Sequence, residues 1–142
     1  MKKLIASFVL VVLFLSLANI GVVRPVNISA GEEKVATISP KELKQQLDSK
    51  NVPVLLDVRE VKELEDDLGH LPGIKHIPIG SLSSRLSELE ADKDKEIVTI
   101  CRSGVRATKA AQILTQAGFK HVCVLEGGMV GYRKAEGQAK NP

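Results

Sequence analysis

The chain has 142 residues, enough for one domain with a moderate core. Its 20 Lys and Arg stand against 17 Asp and Glu, and without Lys2 and Lys3 the balance is 18 against 17, nearly neutral. No basic tract is interleaved with aromatics, which argues against a nucleic-acid partner, and two cysteines with no Cys-x-x-Cys or His cluster argue against a disulfide framework and a zinc site.

Lys2 and Lys3 are followed by an uncharged run from Leu4 to Ala18, with weaker apolar character to Val23. Charge, length and order match a secretory signal, and Ser16-Leu17-Ala18 offers small residues at a cleavage spacing. The competing reading is an uncleaved membrane anchor over residues 4–23, long enough to span a bilayer but weakened by Asn19 and Gly21. Either way the chain is expected to be exported, periplasmic or extracellular, or anchored facing outward. Residues 1–23 are read as this signal or anchor and 24–34, with Pro25, Asn27, Ser29 and Gly31, as a linker. The folded domain is expected over 35–136.

Val35 to Ile38 reads as a short strand. Ser39-Pro40-Lys41-Glu42 is a capping box with proline at the first helical position, opening a helix to about Asp48. Val54 to Val58 is an apolar strand of the buried parallel kind. Glu60 to Leu68 is charged and weakly helical, Gly69 to Gly73 a loop, and Lys75 to Ile77 a short strand. Ser81 is expected to cap a helix carrying Leu82, Leu86 and Leu89 on one face. Asp92 to Lys95 reads as a turn, Ile97 to Ile100 as the central strand, and Ala107 to Ala117 as a helix stopped at Gly118. His121 to Leu125 is the last strand, and Gly127-Gly128 turns the chain into a helix from Met129 to about Ala135. Strands alternating with helices predict an α/β fold with a mainly parallel sheet covered on both faces.

Cys101-Arg102-Ser103-Gly104-Val105-Arg106 runs from the carboxyl end of the central strand into a helix start, where open α/β sheets place ligands. Unpaired N–H groups and the positive end of the helix dipole meet Arg102 and Arg106 there. This setting favours thiolate over thiol and marks Cys101 as a nucleophile. Ser103 and Gly104 allow a tight turn, so that several N–H groups face one anion. A buried apolar role suits Cys123 better, since it lies within Val122-Cys123-Val124-Leu125.

Four blocks carry a resemblance to a known family. They are Asp57-Val58-Arg59-Glu60; Gly69-His70-Leu71-Pro72-Gly73 with Ile77-Pro78; the Cys101 to Arg106 loop; and Leu125-Glu126-Gly127-Gly128-Met129. Their order and spacing resemble the single-domain rhodaneses from Val35 to Lys134. The resemblance implies a rhodanese-like fold, a mainly parallel five-stranded sheet with helices on both faces. It also implies sulfurtransferase chemistry without a cofactor. The partners so implied are a small anionic sulfur donor such as thiosulfate and a thiol or cyanide acceptor. Cys101 is then the persulfide-forming residue, and Arg102, Ser103, Gly104, Val105 and Arg106 form the substrate cradle.

A ring of N–H dipoles suits this chemistry, because donor, leaving sulfite and persulfide are all anions. Arg102 is expected to face solvent and attract the donor, and Arg106 to brace the loop by donating to its carbonyls. Asp57 and Arg59 read as a structural ion pair rather than an acid/base pair, since a thiolate needs no carboxylate base. His70 reads as a hydrogen-bonding loop residue. Tyr132, Gly131 and His76 depart from the tryptophan, alanine and asparagine common in the family, and Gly131 is expected to weaken its helix by up to about 1 kcal/mol.

Two other classes are weighed. Phosphate- or arsenate-handling relatives of the fold have five residues between cysteine and arginine; here there are four. A non-catalytic binding or sulfur-carrier module serving a protein partner is the alternative, and the presence of Cys101 tells against its non-catalytic form.

Overall fold

The central strand, β4 (Glu96–Ile100), is flanked on both sides by parallel neighbours, which is why its sequence is a nearly unbroken apolar run. The structure is a computed structural model and describes residues 34–139. The expected signal or anchor over 1–23, and the linker up to residue 33, lie outside the described residues. Among the described residues no helix is long and apolar enough to cross a membrane.

The other strands are β1 (Ala36–Ile38), β2 (Val54–Asp57), β3 (Lys75–His76) and β5 (His121–Leu125). They pair in the order β1-β5-β4-β2-β3, every pairing parallel. Strand alternation sends side chains to two cores. On one face Leu56, Ile97 and Val124 pack against Leu82, Leu89 and helix α2 (Val105–Gln116). The α2 contacts are Ala107, Ala110, Ala111 and Leu114, spaced i, i+3, i+4, i+7 and all fully buried. On the other face Leu55, Val98, Ile100 and Leu125 pack against Leu43 of α1 (Pro40–Leu47) and Met129 and Tyr132 of α3 (Gly128–Ala139).

The capping box forms as read. Ser39 Oγ accepts the Glu42 N–H at 3.3 Å, and Glu42 Oε2 accepts the Ser39 N–H at 3.0 Å. Two expectations are corrected. No α-helix follows Ser81; the segment is two short 3₁₀ stretches, Ile79–Ser81 and Leu86–Asp92, with Arg85 between them at φ −114° and ψ 15°. Gly80, Ser81, Ser83 and Ser84 are poor helix formers, so the leucines reach the core without a regular helix. The last helix also runs beyond Ala135, to Ala139, its final turns carrying an Arg133–Glu136 ion pair at 2.7 Å.

From β4 the chain moves through α2 to β5 on one side, whereas from β2 it moves to β3 on the other. The two connections leave adjacent strands in opposite directions. They open a crevice outside the carboxyl ends of β4 and β2, the place where such sheets bind ligands.

Candidate active site

Cys101 is the first residue past β4, at the carboxyl end of the strand where the two connections part, and is only 1% exposed. The backbone N–H of Gly104 donates to Cys101 Sγ at 3.0 Å. Gly104 is the N-cap of α2 and has φ +110°, a left-handed conformation that glycine adopts at little cost. Its carbonyl accepts the Thr108 N–H at 2.9 Å, starting the helix. The N–H groups of Val105, Arg106 and Ala107 therefore begin α2 without an intrahelical acceptor.

The loop carbonyls are tied down from the other side. Cys101 O accepts the Met129 N–H at 2.9 Å and Arg102 O accepts the Val130 N–H at 3.1 Å, both from the first turn of α3. Two helix starts thus divide the loop between them. The α3 start satisfies the Cys101 and Arg102 carbonyls, and the Gly104 N–H at the α2 start turns to the sulfur. Gly128 makes this approach feasible: a Cβ there would lie 2.4 Å from Cys101 O.

Asp57 and Arg59 form the structural pair that the sequence suggested, both fully buried. Arg59 Nη2 lies 2.7 Å from Asp57 Oδ2 and Nε 3.0 Å from Oδ1. The same guanidinium donates to Glu63 O at 2.9 Å and Gly69 O at 2.8 Å, so it organises the whole segment after β2. His76 Nε2 lies 2.8 Å from the Arg59 carbonyl. His70 is a loop residue, its Nδ1 3.0 Å from Leu71 O.

Arg106 does not brace the loop through carbonyls. Its two terminal nitrogens donate to Glu63 Oε2 and Oε1, at 2.6 and 2.7 Å, on the facing segment. Arg106 holds the Glu63 carboxyl far below the ordinary 4.5, at about 2, with the Glu60 N–H also donating to Glu63 Oε2. Arg102 does face solvent, 55% exposed at the side chain, but its Nη1 is paired with Asp66 Oδ2 at 2.9 Å. Ser103 and Val105 project outward, Val105 being 78% exposed. The loop residues Cys101 to Arg106 are thus brought together with Glu63 and Asp66, which sequence reasoning did not single out. The one signal for Glu63 was its position three residues after Glu60, able to reach back to the chain at the start of the turn.

Cys123 sits in the opposite core, 8% exposed, near Glu96 Oε1 at 4.0 Å. Burial first, then the nearby Glu96 charge, pushes its thiol up to about 11. Cys101 belongs to the other core, so the two sulfurs lie on opposite faces of the sheet. Among the described residues no group of three or more His, Cys, Asp or Glu could hold a metal.

Comparison with known proteins agrees with this geometry. The profile of the Rhodanese-like domain matches residues 39–135. A Bacillus subtilis (strain 168) protein named "Putative sulfurtransferase YtwF" is 38% identical over 107 residues, covering 75% of this chain and 96% of its own. "Putative sulfur carrier protein YrkF" of the same organism is 39% identical over 101 residues, covering 71% of this chain, which spans only 52% of that relative's length. Among solved structures, a rhodanese-like domain protein from Staphylococcus aureus superposes with a TM-score of 0.62 at 28% identity, covering 69% of this chain and 91% of that one. With sulfurtransferases and sulfur carriers as its relatives, and the fold and loop in place, this chain belongs to the rhodanese-like domain family.

Proposed function

We propose that the chain is a sulfurtransferase that moves a sulfane sulfur from a donor to a thiol or cyanide acceptor through a persulfide on Cys101. The observation that carries this reading is the Gly104 N–H aimed at Cys101 Sγ at 3.0 Å, at the open end of α2. Cys101 Sγ attacks the donor's outer sulfur as a thiolate. The donor's S–S bond breaks, and its electron pair leaves on the inner fragment, sulfite in the case of thiosulfate. The acceptor then takes the outer sulfur from the persulfide and returns the thiolate. Charge stays near the same N–H groups in both half-reactions, so one preorganised cradle serves both. A cysteine buried to 1% exposure suits a donor that presents one terminal atom rather than a whole tetrahedral oxyanion.

Exposure of the purified protein to thiosulfate tests this. Cys101 should gain the mass of one sulfur, and lose it with cyanide or a thiol. Cys101→Ser should abolish both steps while leaving the fold intact. If the wild-type protein gains sulfur neither from thiosulfate nor from the less charged methanethiosulfonate, the binding-module reading replaces this one; if it gains the sulfur but releases it only to a protein partner, the carrier reading does. That alternative draws its support from the relative named as a sulfur carrier.

We also propose that the chain acts outside the cytoplasm, exported or anchored facing outward. The support is Lys2-Lys3 with the uncharged run Leu4 to Ala18. Fractionation of cells expressing the full chain should recover it in the membrane or exported fraction. An intact soluble cytoplasmic form would rule this out.

A further inference from the structure

The three arginines around the crevice are each matched by a carboxylate: Arg59 by Asp57, Arg106 by Glu63 and Arg102 by Asp66. Glu63 and Asp66 both come from the segment after β2. Asp66 is held in place for this. Its Oδ1 accepts the Leu68 N–H at 2.9 Å and its carbonyl accepts the Gly69 N–H at 2.8 Å, leaving Oδ2 for Arg102. Arg102 is the more exposed guanidinium of the motif, 55% at the side chain against 33% for Arg106. The mouth of the site therefore carries little net positive charge. Exposed valines stand in the segments that frame it: Val105 at the start of α2, Val61 two residues before Glu63, and Val130 in the first turn of α3, whose N–H donates to Arg102 O.

We propose that Asp66 is a specificity-determining residue that disfavours small dianionic sulfur donors and leaves the site selective for a sulfane sulfur on an apolar carrier of low charge, such as an organic persulfide or thiosulfonate. This rests on the sulfur-transfer reading above. The chemistry is unchanged by the choice of donor. Cys101 Sγ bonds the outer sulfur, the donor's S–S bond breaks, and the electron pair departs on the inner sulfur as a thiolate or sulfinate. What changes is the charge that approaches Arg102. A dianion must share that guanidinium with a fixed carboxylate that repels it, whereas a less charged donor gives up little and gains contact with the valines.

Thiosulfate and methanethiosulfonate form a matched pair of probes. Both present one terminal sulfur, and a methyl group replaces one charged oxygen. The quantity to measure is the ratio of kcat/KM for thiosulfate to that for methanethiosulfonate, with persulfide formation on Cys101 followed by mass. Asp66→Asn should raise this ratio about three- to tenfold, and added salt should shrink the increase. Asp67→Asn, which makes the same change in net charge on an exposed neighbour, should leave it unchanged. In an Arg102→Gln background the effect of Asp66→Asn should largely disappear. If both donors load Cys101 and the ratio does not move in Asp66→Asn, or moves equally in Asp67→Asn, the role of Asp66 is refuted while sulfur transfer stands. If neither donor loads Cys101 in the wild-type protein, both readings fall together.

Discussion

Arg106 grips Glu63 with both ends of its guanidinium, at 2.6 and 2.7 Å, and so ties the cysteine loop to the segment that follows β2. The pairing holds the Glu63 carboxyl at about 2, below its ordinary 4.5. A carboxyl depressed in the folded state adds stability that is complete above the unfolded value and fades as pH falls through the folded one. The contribution should therefore be present at neutral pH and be lost between about pH 4.5 and 2. Both side chains are partly solvated, so its size is about 1–2 kcal/mol rather than the larger figure that the full shift would give. Glu63→Gln should lower the unfolding free energy measured with urea at pH 7 by that amount and flatten the acid limb of the stability curve. An unchanged acid limb would mean that the pair contributes nothing to folding.

Cysteine labelling separates chemistry from exposure. By exposure alone Cys123, at 8%, would react before Cys101, at 1%. Cys123 is held as a thiol, its value pushed up to about 11 by burial and Glu96. Cys101 instead has a backbone N–H aimed at its sulfur. At pH 7 limiting iodoacetamide should label Cys101 first, by at least about tenfold in rate, since the thiolate is the reacting form. Equal labelling, or preference for Cys123, would remove the basis for the active-site assignment.

Arg59 supports the site through structure. Its guanidinium satisfies Asp57, Glu63 O and Gly69 O in a setting with no water access. Arg59→Met would leave the Asp57 carboxylate buried and short of its partner, and should cost about 3–5 kcal/mol by urea unfolding. Asp57→Asn should also destabilise, yet the folded fraction should still take sulfur from thiosulfate onto Cys101. Complete loss of loading by well-folded Asp57→Asn protein would instead make Asp57 part of the chemistry.

These residues show which parts of the molecule can be read along the chain. The Cys101 to Arg106 motif is contiguous, its strand and helix have clear periodicity, and the capping box at Ser39 is local, so strand, helix and cap formed as read, whereas the contacts of Arg106 did not. The Asp57–Arg59 pair was legible for the same reason: two residues apart at a strand end, they have few other partners. Glu63 and Asp66 were not legible. They stand in an acidic run with Glu60, Glu65 and Asp67, without periodicity. Which carboxylates fold back toward the arginines depends on the path of the segment, and that path is set by Arg59 holding the Glu63 and Gly69 carbonyls. The leucines at 82, 86 and 89 had helical spacing, but Gly80 and three serines supply too little propensity, and burial alone directs them.

Two glycines of α3 make the last prediction, because they oppose helix propensity for different reasons. Gly128 has φ +57°, and a Cβ there would lie 2.4 Å from Cys101 O and 2.7 Å from Arg102 O. Those are the carbonyls that accept from Met129 and Val130, so they cannot retreat without losing both bonds. Gly128→Ala should cost about 2–3 kcal/mol and displace the cysteine loop, so sulfur loading should fail with stability. Gly131 lies inside the helix, where alanine would ordinarily add up to about 1 kcal/mol. Here a Cβ would lie 2.8 Å from Glu126 O. Glu126 is pinned, its N–H donating to Ile38 O at 3.0 Å and its carboxylate accepting from the Thr37 hydroxyl at 2.7 Å. The overlap should therefore outweigh the propensity gain, and Gly131→Ala should destabilise by about 1–2 kcal/mol. The crowded atom belongs to Glu126 and not to the cysteine loop, so folded Gly131→Ala protein should load sulfur at the wild-type rate. Parallel urea unfolding and persulfide mass measurements on the two variants check this. A stabilised Gly131→Ala would show that Glu126 yields, and an active Gly128→Ala would show that the loop does not depend on its close contact with α3.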